Sequence, residues 1–309
     1  MNLRYLAGRV ALLVPILFGV SVFVFLFLRL TPGDPARIVA GPDASSAQIE
    51  VIRHQLGLDE SWPQQYVIYM GRMLHGDLGV STRVHLPVTE IIATRFVNTL
   101  ELTVVAIVLA LLFGVTAGVL SAVKRNTAVD YGSMALALIG VSMPSFWLGL
   151  LLIGVFSVTL GVLPTGGDNG PASIILPAVT LALGVAGIIA RITRASMLEV
   201  FQQDHVRTAW AKGLRARVVV VRHVLRNSLS AIVTMTGLEF GFLLGGAVVV
   251  ETVFSWPGLG QILVQSISYR DYPVVQGVML VLATEFVVVN LIVDVLYAVI
   301  DPRVRYGHG

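Results

Sequence analysis

Long apolar stretches recur along the whole chain and alternate with short polar segments. A helix needs about 20 residues to cross a hydrocarbon core of roughly 30 Å, and six stretches reach this length. They are Val10–Leu30, Thr99–Val123, Met134–Leu160, Ile174–Arg194, Leu229–Phe254 and Val274–Ile300. The first is longer than the apolar core of a signal peptide, about 7–15 residues, and no clean cleavage site follows it. The pattern therefore predicts an all-α integral membrane protein with six transmembrane helices, of which the first is retained.

Composition agrees with this prediction and argues against catalysis. Of the 309 residues, 56% are hydrophobic and 13% are charged, whereas a soluble domain has about 25% charged residues. The absence of Cys excludes disulfides, thiolate metal sites and a Cys nucleophile. The histidines show no metal-ligand spacing, and neither a phosphate-binding loop nor a G-x-S-x-G nucleophile elbow is present. We therefore expect a non-catalytic chain that binds no metal or cofactor itself.

Basic residues are concentrated in alternate loops. Cytoplasmic loops of membrane proteins are enriched in Lys and Arg. With the N-terminus inside, the cytoplasmic segments hold Arg4, Arg9, Lys124, Arg125, Arg207, Lys212, Arg215, Arg217, Arg222, Arg226, Arg303 and Arg305. The outer loop Gly161–Ser173 has no basic residue, and the outer loop Ser255–Pro273 has only Arg270. The first outer loop carries several arginines but exceeds the roughly 60 residues beyond which this rule loses force. We therefore expect both termini to be cytoplasmic.

This topology divides the chain into three parts. Residues 1–97 form the first membrane helix and an extracytoplasmic loop. Residues 98–300 form a five-helix core, whose cytoplasmic loop covers residues 195–228. Residues 301–309 form a cytoplasmic tail.

The extracytoplasmic loop carries signals for two short amphipathic helices. Ser45 and Gln48 have the spacing of a capping box, in which each side chain bonds to the other residue's backbone N–H. Ser61 followed by Pro63 marks a second helix start. These helices are too small to form a core of their own, and we expect them on the membrane surface or against the outer ends of the spans.

A short polar helix is predicted in the cytoplasmic loop at Asp204–Gly213. Asp204 is a suitable N-cap, because its carboxylate can accept from amides of the first turn. Gly213 is a suitable residue just after the helix, where the left-handed conformation is common. A helix of about two turns is marginal alone and needs a surface to pack against. No non-membrane part of the chain is large enough to provide it, so we expect a partner protein.

The neighbouring membrane spans argue against a nucleic-acid-binding role for this segment. The polar helix, the glycine and the basic stretch Arg215–Arg226 resemble a helix-turn-helix. However, membrane spans begin within a few residues on both sides, which leaves no room for the rest of such a domain. We therefore expect no nucleic-acid partner.

Polar and glycine residues mark two features inside the spans. Ser142, Met143 and Pro144 place a proline inside the third span, which predicts a kink. Glu239 lies near the middle of the fifth span, on the face shared with Gly246. We assign these five residues to a translocation pathway.

Alternatives remain at the membrane acids and glycines. Ionisable groups inside spans are costly in lipid and face a bundle interior or water. A structural hydrogen bond is the competing interpretation for Glu239 and the preferred one for Glu285 and Asp294. Tight helix packing is the interpretation for the glycine ridges at Gly114 and Gly118 and, in the fifth span, at Gly237, Gly241 and Gly245.

At this point the chain resembles a known family. The segment Thr208–Gly213 has the pattern T-A-x-A-K-G and resembles the coupling loop of bacterial ABC-importer permeases, in particular the dipeptide/oligopeptide/nickel branch. Further matching pieces are Thr31–Pro35, Gly76–Gly79, Ile175–Pro177, Arg191–Ser196, His223–Asn227, Glu251–Gly260, Arg270–Pro273, Asp294–Tyr297 and Asp301–Arg303. Two segments, Gly33–Pro42 and Phe240–Gly246, are most similar to glutathione-import permeases.

The resemblance implies a type I ABC-importer permease in the bacterial cytoplasmic (inner) membrane, carrying small peptides. Its implied partners are a second permease subunit, two ABC ATPase subunits, which use ATP and Mg²⁺, an extracytoplasmic substrate-binding protein, and membrane lipid. The helix that couples to the ATPase maps onto Asp204, His205, Arg207, Thr208, Ala209, Trp210, Ala211, Lys212 and Gly213. In this family the motif often starts with Glu, where this chain has Arg207-Thr208-Ala209.

The sequence is also compatible with other functions. A self-sufficient channel or secondary transporter would couple transport to protons through Glu239. A nickel-chelate importer would have the same architecture with a different substrate. Position and aromatic content make Gln48–Met73 and Glu251–Gly260 candidates for docking the binding protein, with a structural role equally open.

Overall fold

A computed structural model describes residues 3–30, 34–41, 44–55 and 57–300, and these are almost entirely helical. The helices are α1 (Leu3–Leu30), α2 (Pro35–Ala40), α3 (Ser46–Gln55), α4 (Trp62–Leu74), α5 (Val88–Val123), α6 (Ala128–Ser142), α7 (Ser145–Leu152), α8 (Ile175–Phe201), α9 (Asp204–Ala211), α10 (Ala216–Val218), α11 (Arg226–Val253), α12 (Leu259–Tyr269) and α13 (Tyr272–Ile300). A π-helix at Ile153–Thr159 extends α7, and another at Val219–Leu225 joins α10 to α11.

Of the six predicted spans, the described residues contain four helices that are long and apolar enough to cross a membrane, or five if the bent α6–α7 pair counts as one span. Four helical segments are long and apolar enough to cross a bilayer, namely Val88–Val123, Pro171–Phe201, Ala216–Val253 and Tyr272–Val293. The broken pair of α6 and α7 with its π-helix makes a fifth. Helix α1, the first predicted span, is 28 residues long, and its described apolar part is Ala11–Phe27.

The third predicted span is broken rather than kinked. Its two halves, Ala128–Ser142 and Ser145–Thr159, meet at 106°. Pro144 has no N–H, so the helical ladder stops there, and the Met143 amide donates to the Ile139 carbonyl at 3.0 Å. The prediction of a kink at Pro144 is thus correct in its position, but the observed bend is much sharper than a kink.

Helices α5, α8 and α11 surround the main hydrophobic core. Gly114 and Gly118 let α5 approach α8 so closely that a Cβ atom would lie 2.7 Å from the Ala186 carbonyl oxygen and 2.6 Å from that of Ala190. The predicted packing role of this glycine ridge is confirmed.

The second glycine ridge packs over part of its length. A Cβ atom at Gly237 would lie 2.8 Å from Val293, and one at Gly241 would lie 3.6 Å from Val289, both on α13. Nothing lies within 4 Å of a Cβ atom at Gly245. The ridge therefore packs against α13 at its first two glycines and is open at the third.

The two short outer helices form as predicted. The Ser45 amide donates to Gln48 Oε1 at 2.8 Å and the Gln48 amide to Ser45 Oγ at 3.3 Å, which confirms the capping box. Helix α4 lies against α1, where Tyr66 Oη and Ser21 Oγ are 2.8 Å apart. The Tyr69 hydroxyl is buried, and burial raises its pKa. The aromatic face of α4 therefore packs inside the molecule.

The sequence predicts structural hydrogen bonds for the membrane acids Glu285 and Asp294. Both carboxylate oxygens of Glu285 are buried and have no hydrogen-bond partner among the described residues, so the structural hydrogen bond expected there is not found. The Asp294 side chain and the predicted tail 301–309 lie outside the described residues.

Candidate functional site

Helix α9 forms where the polar segment predicts it, with one correction at its start. The N-cap is Gln203, whose backbone is extended, and Asp204 is the first helical residue. The Asp204 side chain makes no capping hydrogen bond and instead lies 3.6 Å from the Arg207 guanidinium. Because the carboxylate sits in the first turn, it still interacts favourably with the positive end of the helix dipole.

The inner face of α9 packs on the chain itself. Val206 is fully buried and Ala209 is 4% exposed. Both belong to a cluster with Ala122, Met197, Val200, Val219 and Val224. The expectation that the chain offers this helix no packing surface is therefore wrong, because residues from three separate helical segments combine into one. It follows that Ala209 is small to fit its own chain, not to fit a partner.

The outer face of α9 is exposed. It consists of His205, Arg207, Thr208, Trp210, Ala211 and, just beyond the helix, Lys212. Trp210 is 46% exposed, and a large aromatic side chain on a polar helix is typical of the anchors of protein interfaces. The structure thus brings the predicted coupling residues together and divides them into an inner and an outer face.

Gly213 terminates α9 for a conformational reason. Its φ is +71°, in the left-handed region that residues with a Cβ rarely adopt. A Cβ atom there would meet nothing within 4 Å. The predicted turn is confirmed, and the open space around Gly213 shows that backbone conformation, not packing within the described residues, favours glycine at this position.

A partly buried ion pair joins the membrane helices beside α9. Arg194 of α8 donates to both carboxylate oxygens of Asp130 of α6 at 2.8 and 2.9 Å. Asp130 also accepts from Ser121 Oγ of α5 and from the Asn126 amide. This network joins α5, α6 and α8 at the end where α9 packs. Sequence reasoning missed Asp130, since a lone acid at a helix start has the ordinary explanation of a favourable dipole position.

A cavity of about 220 Å³ opens at the broken third span. Its walls come from the α6–α7 break, α8 and α11, and it is lined by Met143, Glu239 and Gly246 among others. Three of the five predicted pathway residues thus meet at one cavity. Ser142 and Pro144 do not line it, but they form the break that shapes it.

Glu239 faces this cavity without a partner. It is 7% exposed, and it forms no hydrogen bond or ion pair within the part of the chain that the structure describes. The alternative of a structural hydrogen bond for Glu239 is therefore not found in these residues.

Glu251 has a role that the sequence did not reveal. It is fully buried, and its Oε2 accepts from the Gly260 and Gln261 amides at 2.7 and 3.1 Å. Thr99 Oγ1 of α5 donates to Glu251 Oε1 at 2.7 Å and accepts from the Leu259 amide at 2.8 Å. Together these groups satisfy the first three amides of α12, which its N-cap residue Gly258 cannot do because it has no side chain.

The loop Glu251–Gly260 is consequently structural. Besides Glu251, its Phe254 and Trp256 are buried, and Trp256 Nε1 donates to the Asn98 carbonyl at 3.0 Å. These three residues are not available to a docking protein, and the structural interpretation applies to them, whereas Thr252 and Ser255 of the same loop are exposed. For Gln48–Met73, the acids Glu50, Asp59 and Glu60 are exposed, and docking there stays a prediction.

Comparison with known proteins gives matches over nearly the whole chain. The family of binding-protein-dependent transport system inner membrane components matches residues 114–306, and the model of its N-terminal region matches residues 2–103. The glutathione transport system permease protein GsiC of Escherichia coli K12 is 51% identical over 304 residues, which are 98% of this chain and 99% of that protein. The corresponding protein of Shigella dysenteriae is also 51% identical.

Solved structures show the same fold. An inward-facing MetNI methionine ABC transporter matches with a TM-score of 0.58 and 24% identity, covering 68% of this chain and 96% of that one. An amino acid ABC transporter crystallised with histidines matches with a TM-score of 0.55 and 16% identity, covering 68% and 94%. At these identities the likeness concerns the fold alone.

Proposed function

The chain belongs to the family of binding-protein-dependent transport system inner membrane components, and on that premise we propose that it is the permease subunit of an ATP-driven importer of glutathione or small peptides. Its place is the bacterial inner membrane, as a multi-pass protein. The substrate class is supported by the name of the relatives that are about half identical to it.

The energy source lies in partner chains. This sequence has no phosphate-binding loop, so two ABC ATPase subunits bind and hydrolyse ATP with Mg²⁺. A second permease subunit completes the membrane part, and an extracytoplasmic binding protein delivers the substrate. The concentration of Lys and Arg in alternate loops supports a cytoplasmic position for both termini.

The main support for this proposal is that α9 has one face packed on its own chain and one exposed face. Its inner face is anchored to α8 and to the π-helix that leads into α11, and its outer face presents Trp210 to the cytoplasm. A helix held in this way moves together with α8 and α11. Closure of the ATPase pair on ATP binding therefore moves α9 and turns the permease pair from inward-facing to outward-facing. Hydrolysis then reverses the motion.

Substitution of the turn after α9 tests this coupling. Gly213→Val forces a β-branched residue into the left-handed region and so displaces the end of α9. We expect binding-protein-stimulated ATP hydrolysis and uptake to fall together in the assembled complex. Gly161→Val is the matched control, because Gly161 has a φ of +63° in an open outer turn with nothing within 4 Å of a Cβ atom.

Two results would contradict the proposal. Normal stimulation and uptake in an assembled Gly213→Val complex would remove α9 from the coupling path. Purification without an ATPase, with uptake driven by an ion gradient in the absence of ATP, would identify a secondary transporter instead.

A further inference from the structure

The cavity at the broken third span is bordered by a buried acid that has no partner among the residues the structure describes. Glu239 is 7% exposed and borders the cavity together with Thr180 and Gly246. An unpaired acid in a membrane helix is costly, and such groups face a partner or a transport path. Any hydrogen-bond donor to the Glu239 carboxylate therefore comes from outside the described residues.

The other buried acids do not share this property. Asp130 and Glu251 have their hydrogen bonds satisfied by neighbouring helices, and Asp271 accepts from Ser81 Oγ and the Thr82 amide. Glu285 is unpartnered too, but both its oxygens are completely buried, so no ligand reaches them. Among these acids, Glu239 combines a missing partner with an accessible position.

The helix break adds acceptors to the same cavity. In an unbroken helix the Gly140 carbonyl would accept from the amide four residues later, but that residue is Pro144, which has no N–H. Gly140 borders the cavity with Met143 and Ser145. The site therefore offers a carboxylate and a backbone carbonyl, both of which accept hydrogen bonds.

The mouth of the cavity is open on the α11 side. A Cβ atom at the lining residue Gly246 would meet nothing within 4 Å, and Phe242, which also lines the cavity, is 63% exposed. The described residues contain no group of three or more His, Cys, Asp or Glu side chains placed to hold a metal ion. A single carboxylate with carbonyl acceptors suits a protonated amine, which brings one positive charge and several N–H donors.

We propose that Glu239 binds the protonated amino group of the substrate during its passage, with the Gly140 carbonyl as a second acceptor. This inference rests on the proposed import function and adds the substrate chemistry that the membrane subunit recognises. Glutathione and dipeptides both carry a free amino group that fits it.

The test uses the complete complex in proteoliposomes, with its binding protein. The probes are radiolabelled glutathione and L-alanyl-L-alanine, and uptake and ATP hydrolysis are measured in the same vesicles. We expect Glu239→Gln to lower uptake per ATP hydrolysed by about tenfold or more, the weight of one charge-assisted hydrogen bond. Binding-protein-stimulated hydrolysis should persist, and Glu239→Asp should retain more uptake than Glu239→Gln.

A matched glycine pair tests the cavity without changing any charge. Gly246→Leu fills space beside Glu239 and should also reduce uptake per ATP. Gly245→Leu introduces the same side chain one residue away, where it does not line the cavity, and should leave uptake per ATP unchanged. This pair keeps the inference testable if Glu239→Gln fails to assemble.

The outcomes separate this inference from the proposed function. Wild-type uptake per ATP in Glu239→Gln, or equal effects of the two glycine variants, would overturn the amine assignment. So would a parallel loss of uptake and hydrolysis in Glu239→Gln, which would identify a structural or permease–permease contact. If the wild-type complex hydrolyses ATP on stimulation but imports neither probe, the amine assignment and the proposed substrate class fail, whereas the ATP-driven permease assignment stands. If no ATPase associates with the chain, the proposed function itself fails.

Discussion

Glu239 and Glu251 lie on the same membrane helix, twelve residues apart, and both are buried, yet their surroundings differ completely. Around Glu251, a threonine hydroxyl and two backbone amides from other segments converge on the carboxylate. Around Glu239, the side chain borders a cavity and no donor in the described chain reaches it. Burial is common to the two acids, so the number of satisfied hydrogen bonds distinguishes a structural acid from a candidate ligand-binding one.

The largest expected effect comes from removing Glu251. Glu251→Ala leaves the Gly260 and Gln261 amides without an acceptor and opens a cavity, which should destabilise the fold by about 3–5 kcal/mol. Thermal unfolding of the purified complex measures the change. Glu199→Ala, which removes an exposed acid from α8, is the control. If Glu251→Ala unfolds at the same temperature as Glu199→Ala, the hydrogen bonds around Glu251 do not stabilise the fold.

A smaller effect is expected from the hydroxyl that bridges the same network. Thr99→Val keeps the shape of the side chain but removes the donor to Glu251 and the acceptor for the Leu259 amide, at a cost of about 1–3 kcal/mol. Thr103→Val is a matched control one turn along α5, because this buried hydroxyl bonds only to the Thr99 carbonyl of its own helix. Equal melting temperatures for the two variants would argue against remote capping of α12.

The smallest effect on stability is expected at Glu239. Glu239→Gln loses no hydrogen bond to the described residues, so stability should change by less than about 1 kcal/mol, or rise, because an unpaired buried charge is removed. The measurement is the same thermal unfolding as for Glu251→Ala. A loss as large as that of Glu251→Ala would show that an internal partner stabilises Glu239 and would remove the difference between the two sites.

Helix α9 shows which features local sequence signals can predict and which they cannot. The caps and length of the polar segment predicted α9 and the turn at Gly213, and both formed. The same signals misassigned the N-cap by one residue, since both Gln203 and Asp204 can precede a helix. They also missed the inner packing surface, because its residues come from α5, α8 and the π-helix before α11.

The sequence by itself determined which segments form long apolar helices, because length and apolar content are properties of consecutive residues. It also determined the capping box, the glycine turn and the position of the break at Pro144. Tertiary structure alone decided what each acid does, since its partners are distant in the chain. Thr99 and Glu251 are 152 residues apart, and Asp130 and Arg194 are 64 apart. No local pattern encodes such pairs, and only the packing of the helices shows that Glu251 is saturated while Glu239 faces an open cavity.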